Sequence, residues 1–191
     1  MFFILLQSES VPQDEVREET NMNRNRICVE LTGGGSVYTK TIYRDETRIM
    51  GIVGGFRLMW EPDKLLRIGI HSGYMELAKL RTEYILTEFG ETKRSNKLTA
   101  YPIAIIFNMK VSQIELILGL GAGFVTSQIR AFDEESVSTI ITSLKLYGVG
   151  YMYNINKEIS VGAEVKYYSY STPEVTSITF EIKGKYALLE W

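Results

Sequence analysis

Residues Ile140 to Tyr170 read IITSLKLYGVGYMYNINKEISVGAEVKYYSY. Two runs rich in β-branched and aromatic residues flank a polar joint, Asn154-Ile155-Asn156-Lys157. In the second run Ile159, Val161, Ala163, Val165 and Tyr167 alternate with Ser160, Gly162, Glu164, Lys166 and Tyr168. In the first, Leu144, Leu146, Gly148, Gly150 and Met152 alternate with Ser143, Lys145, Tyr147, Val149 and Tyr151. Successive side chains on a strand point to opposite faces, so each run has one apolar face and one that carries charge. The stretch is a β-hairpin.

The same cadence recurs on both sides of it. Going back to the start, residues 7 to 26 are polar, charged and aperiodic and read as a flexible lead. The apolar stub Met1 to Leu6 before them fits either the remnant of a secretion signal or a chance apolar end. Alternation then predicts strands over about 27–38, 49–60, 65–77, 98–109, 114–127, the two arms of the opening hairpin, and a last strand ending at Trp191. Glycines 33 to 35 lie inside an alternating strand and lack the Lys-Ser/Thr of a phosphate loop, so they read as a strand bend. Pro102 inside the fourth strand predicts a bulge or bend there.

Three regularities turn this list into an architecture. The strands number about eight. Short joints (61–64, 110–113, 154–157) alternate with longer connections (39–48, 81–97, 128–139, 171–175). The strands run ten residues or more, against the usual five or six of a soluble sheet. An antiparallel up-and-down barrel over residues 27–191 puts all short joints on one rim. A tilted strand of about eleven residues rises roughly 25 Å, the height of an outer-membrane apolar band.

Composition excludes other classes. The chain has 191 residues, 45% hydrophobic, with a net charge of −2. It has no basic surplus for nucleic acid. No apolar run approaches the roughly 20 residues of a membrane helix, which leaves a strand-built membrane protein open. One cysteine, Cys28, forbids an internal disulfide, and one cysteine with one histidine is too few for the usual zinc sets, so no cofactor is expected.

Alternation alone does not say which face is outside. A lipocalin-like barrel keeps its apolar face inside; an outer-membrane barrel does the reverse. The polar face holds Glu30, Arg57, Arg67, His71, Glu115, Lys145, Glu164, Lys166, Glu181 and Lys183, balanced in sign and spread over most strands. Charges in a narrow interior must be paired to offset desolvation, and this set suits that demand. The other face, large aliphatics with tyrosines and Trp60 near strand ends, suits lipid and an aromatic girdle.

The cadence, the GVGYMYNINKEISVGAEVKYY segment, the LTAYPIAIIFNMK strand and the terminal aromatic together resemble the small outer-membrane β-barrels of Gram-negative bacteria, of the OmpA/OmpX-like, porin-family β-barrel-domain kind. The resemblance implies an eight-stranded transmembrane barrel in the cell outer membrane, in contact with outer-membrane lipids. It also implies that Trp191 serves as the signal read by the outer-membrane assembly machinery. Trp191 is out of phase with Phe180, Ile182, Tyr186 and Leu188, which requires a slip or bulge near the end. Some members modify lipid with a Ser/His pair, but His71 and Ser72 are adjacent and fall on opposite faces, so an interior His71 paired with a carboxylate is the better reading. Tyr167, Tyr168 and Tyr170 read as girdle and filling rather than a ligand stack. The function expected is non-enzymatic, with the long connections near 81–97 and 128–139 carrying adhesion or a partner outside the cell. The alternatives are a soluble lipocalin-like barrel for an apolar small molecule, and a lipid-modifying membrane enzyme.

Overall fold

The computed structural model describes residues 25–39, 47–48, 50–62, 65–80, 83–87, 90–131, 134–172 and 174–191. The apolar stub and nearly all of the polar lead lie outside these residues. Eight strands form the wall: β1 (Arg26–Tyr38), β2 (Met50–Glu61), β3 (Leu66–Leu80), β4 (Gly90–Val111), β5 (Ile114–Ala131), β6 (Glu134–Asn154), β7 (Ile159–Tyr170) and β8 (Val175–Glu190). Each pairs antiparallel with its neighbour in the chain, and β1 pairs with β8, so the sheet closes on itself. Closure leaves no strand edge around the ring, which a wall facing hydrocarbon requires.

The joints on one rim are tight. Ser112 adopts a left-handed conformation (φ 59°) to turn β4 into β5. Between β6 and β7 the Asn156 Oδ1 accepts from the Glu158 and Ile159 amides at 2.9 and 2.6 Å, a side chain standing in for a backbone turn. On the other rim three strands outgrow the ring. β4, β5 and β6 have 22, 18 and 21 residues, and β5 pairs with β6 without interruption up to Ala131↔Glu134. A short strand, Glu83–Thr87, pairs with Gly90–Arg94 on the far side of β4. The stretches expected as long connections, 81–97 and 128–139, are therefore largely strand: a sheet that stands up from the wall. In sequence these stretches are mostly polar and carry no alternation to read.

Two local expectations resolve differently. β3 and β4 pair at Ser72↔Ile103 and again at Met75↔Ala100 in unchanged register, so the ladder lapses beside Pro102 and Tyr101 without a bulge. Proline has no amide hydrogen to give, and the wall accommodates that by leaving rungs out. The bulge on β3 lies further along, between Glu76 and Ala78. At the C-terminus Ile27 faces Leu189 while Cys28 faces Ala187, so β8 carries an extra residue at Leu188. That slip brings Trp191 to the outer surface with Tyr186 and Leu188.

The wall is apolar outside and polar inside. Leu118, Val161 and Ile182 are 55, 40 and 75% exposed, whereas Glu115, Glu164 and Glu181 on the same strands are 0, 2 and 3% exposed. The interior is filled in two parts. Charged side chains occupy the half nearer the tight turns. Met75, Leu77, Ala100, Val125, Leu144, Tyr170 and Val175 pack the half nearer the raised sheet. Gly123 on β5 is where the Tyr170 ring lies flush with the backbone; a Cβ there would collide with it.

Candidate functional site

The charged half of the interior is one continuous network. It starts at the turn-side rim, where the Lys185 Nζ donates to the Glu61 Oε1 at 2.6 Å and the Arg67 Nε approaches the same oxygen at 2.8 Å. Arg67 reaches on to Glu115 (2.9 Å) and Glu30 (3.3 Å). Lys183 bridges Glu115 at 2.5 Å and lies 3.7 Å from Glu30. Arg57 joins Glu30 (3.2 Å) to Glu164, which it grips with both terminal nitrogens. Lys166 then spans Glu164 (2.9 Å) and Glu181 (2.7 Å), and the Thr179 hydroxyl donates to Glu181 at 2.6 Å.

Five carboxylates (Glu30, Glu61, Glu115, Glu164, Glu181) and five cations (Arg57, Arg67, Lys166, Lys183, Lys185) are buried here, so the network is neutral among the described residues. Each buried ion costs several kcal/mol to desolvate, and only close pairing with the remaining donors filled offsets that. Alternation along each strand aims these groups inward, and the antiparallel register stacks them at matching heights, as Glu30 faces Arg57 across β1 and β2.

Of the ten residues expected in this network, the structure brings nine inside: Glu30, Arg57, Arg67, His71, Glu115, Glu164, Lys166, Glu181 and Lys183. Lys145 is a correction. It is exposed on the outer surface of β6, and Leu144, Leu146 and Met152 fill the interior in its place. The first arm of the hairpin thus has its faces reversed from the reading above. Tyr147, Val149 and Tyr151 form its outer face. His71 is also buried differently from expectation. Its Nε2 lies 3.2 Å from the Tyr168 hydroxyl rather than against a carboxylate. Tyr168 and Tyr170 are interior filling, while Tyr167 belongs to the outer surface.

Glu61 and Lys185 are network members beyond the ten expected. Glu61 sits at the edge of the Glu61-Pro62-Asp63 joint, where turn chemistry hides its inward aim. Lys185 is in phase with Lys183 on β8, and that spacing is the signal that could have found it. Asn108, likewise inward on β4, donates to the Glu115 Oε2 at 3.2 Å.

Bonded side chains thus occupy the turn-side half of the interior. His71 and Ser72 remain on opposite sides of the wall, as strand geometry demands. Among the described residues no group of histidine, cysteine and carboxylate side chains is placed to hold a metal ion.

No family model matches the chain, and no curated protein matches it. Solved structures do. The chain is similar to Ail, the attachment invasion locus protein of Yersinia pestis, in complex with the heparin analogue sucrose octasulfate, with a TM-score of 0.52, 11% identity, and coverage of 86% of this chain and 98% of that one. It is similar to a major outer membrane protein from Thermus thermophilus, with a TM-score of 0.56, 12% identity, and coverage of 86% and 99%. At these identities the likeness is one of fold. With eight antiparallel strands closed β1 to β8, an apolar exterior and a charged interior, the chain has the fold of the small outer-membrane β-barrels.

Proposed function

We propose that the protein is a non-enzymatic barrel of the bacterial outer membrane whose wall anchors an interaction surface outside the cell. The observation that carries this reading is the inversion of polarity: aliphatic rows on the outer surface, ions bonded within. An exterior of this kind is unfavourable in water and favourable against hydrocarbon. The soluble lipocalin-like alternative needs an open apolar lumen, whereas salt bridges fill one half of this lumen and packed apolar side chains the other. A hydrolytic site is disfavoured by His71, which is buried against Tyr168.

The raised sheet supports the interaction role. Beyond the ring, β6 is paired on one side with β5. From Glu134 to Ile141 no strand lies on its other side among the described residues. Val137, Ile140 and Ile141 are exposed there. An open edge of this kind accepts a partner strand through main-chain hydrogen bonds, with side chains supplying selectivity. Tight turns of outer-membrane barrels face the periplasm, so the sheet faces outward. Trp191, turned outward by the Leu188 bulge, is the residue that the assembly machinery would read.

Cysteine labelling tests the whole reading. Ile141→Cys should react with a membrane-impermeant maleimide on intact cells, and Lys157→Cys only after the outer membrane is permeabilised. Extraction should require detergent. Recovery in the soluble fraction, or the opposite labelling pattern, would refute the proposal.

A further inference from the structure

The turn-side mouth of the barrel holds a cavity of about 420 Å³, the size range of small-molecule sites. Its lining includes Arg26, Glu61, Arg67, Lys110, Lys157 and Lys185. Among the described residues five cations thus line the cavity with one carboxylate. Three of the five are already engaged. Arg26 pairs with Glu190 at 2.9 Å, and Arg67 and Lys185 converge on Glu61. Lys110 and Lys157 form no ion pair among the described residues. The carboxylate directly across the ladder from Lys110 is Glu115, and its oxygens are already held by Arg67 and Lys183. The buried network beneath is neutral, so it supplies no counter-charge. Among the described residues the mouth therefore ends in two ammonium groups with no ion-pair partner. Hydroxyls of Ser112 and Ser160 stand in the same lining.

We propose that this mouth is an anion-binding site for a phosphate group carrying two negative charges, a phosphomonoester or free phosphate. Two ammonium groups match a dianion in charge, and Arg67 and Lys185 add a positive field from below, held in place by their own carboxylate. Charge-assisted bonds to phosphate oxygens are the strong class of hydrogen bond. The Ser112 hydroxyl gives a remaining oxygen a neutral donor, while the Ser160 hydroxyl already donates to the Asn154 Oδ1 at 2.8 Å. The site needs only the folded barrel; its placement on the periplasmic side rests on the membrane reading above.

The test uses the full chain folded in detergent micelles, with inorganic phosphate as the probe followed by phosphorus NMR. Lys110 is partly and Lys157 fully exposed, and neither forms an ion pair with a buried carboxylate among the described residues, so replacing them breaks no buried pair. The expected result is saturable binding by the wild type. It should weaken by about tenfold or more in a Lys110→Gln/Lys157→Gln double variant and remain unchanged in Lys145→Gln, whose ammonium is on the outer wall. Glucose 1-phosphate and a short-chain phosphatidic acid serve as competitors. Displacement by either supports the site, and the better competitor identifies a soluble or a lipid source. No saturable binding by the wild type, or equal binding by the double variant, overturns the proposal. Because binding is read on purified folded protein, its failure leaves the cysteine-labelling result on location untouched.

Discussion

Arg57 on β2 and Glu164 on β7 lie on strands that never touch in the sheet, yet the guanidinium grips both carboxylate oxygens across the lumen, 107 residues apart in sequence. Both side chains are fully enclosed. The pair therefore acts as a crossbrace, joining opposite sides of the wall through the interior rather than through the ladder.

Removing one end of that brace should be expensive. Glu164→Ala and Glu115→Ala should each destabilise the barrel by about 3–5 kcal/mol, since each leaves buried cations without their anion. Lys145→Ala, on the outer wall, should stay within about 0.5 kcal/mol of the parent. Urea unfolding in detergent, followed by tryptophan fluorescence, reads all three. Near-equal midpoints across the set would contradict the bonded interior.

The outer surface makes a separate prediction. Ile182 faces outward near the middle of β8, where an arginine would meet hydrocarbon. Ile182→Arg should cost about 2–4 kcal/mol in lipid vesicles. The penalty should shrink in a soluble-type environment, and a cost of zero in vesicles would mean that this row does not face acyl chains.

Packing in the other half of the lumen is tested at Gly123. Any side chain there drives into the Tyr170 ring, whereas a Cβ at Gly184 meets nothing within 4 Å. Gly123→Ala should destabilise by about 1–3 kcal/mol through overpacking, and Gly184→Ala should be close to neutral. Equal midpoints for the two variants would remove the ring from that position.

On the raised sheet, hydrogen bonds from Gln128 and then Arg130 hold the Glu135 carboxyl below its ordinary value. A folded-state value below the unfolded one means that this contact stabilises the sheet fully above the usual carboxylate range. Its contribution fades as pH falls through the depressed value. A carboxyl-detected NMR titration should show Glu135 titrating at lower pH than a free glutamate, and Gln128→Ala should move it back up. A titration at the free-glutamate value in the parent would show that the contact does not persist in solution.

How far the chain can be read without coordinates depends on where polarity labels a face. On β7 and β8 the inward residues are charged and the outward ones aliphatic, so Glu164, Lys166, Glu181 and Lys183 are assignable from spacing. On β6 both faces are apolar, because Leu144 and Leu146 pack the lumen where it is filled without ions. The single lysine on that strand then points to the wrong side. Residues 90–97 and 128–139 are polar and lack periodicity, so in sequence they look like connections. Glu61 is obscured by its neighbouring proline. The long-range partners, such as Tyr168 for His71, depend on the ring's diameter and stagger, which no local pattern encodes.

The seam between β1 and β8 fixes when any of this can form. Arg26 finds Glu190 only after β8 has been made, and until then the outer edge of β1 is unmatched. Arg57 and Glu164 are strangers until that final zippering, so a half-built cylinder holds naked ions inside and greasy rows outside. Such an intermediate has no stable resting point in water or in lipid. Maturation should therefore proceed as a single late step, slow because its decisive contacts are distant in sequence, and in need of a host that guards the open edges meanwhile.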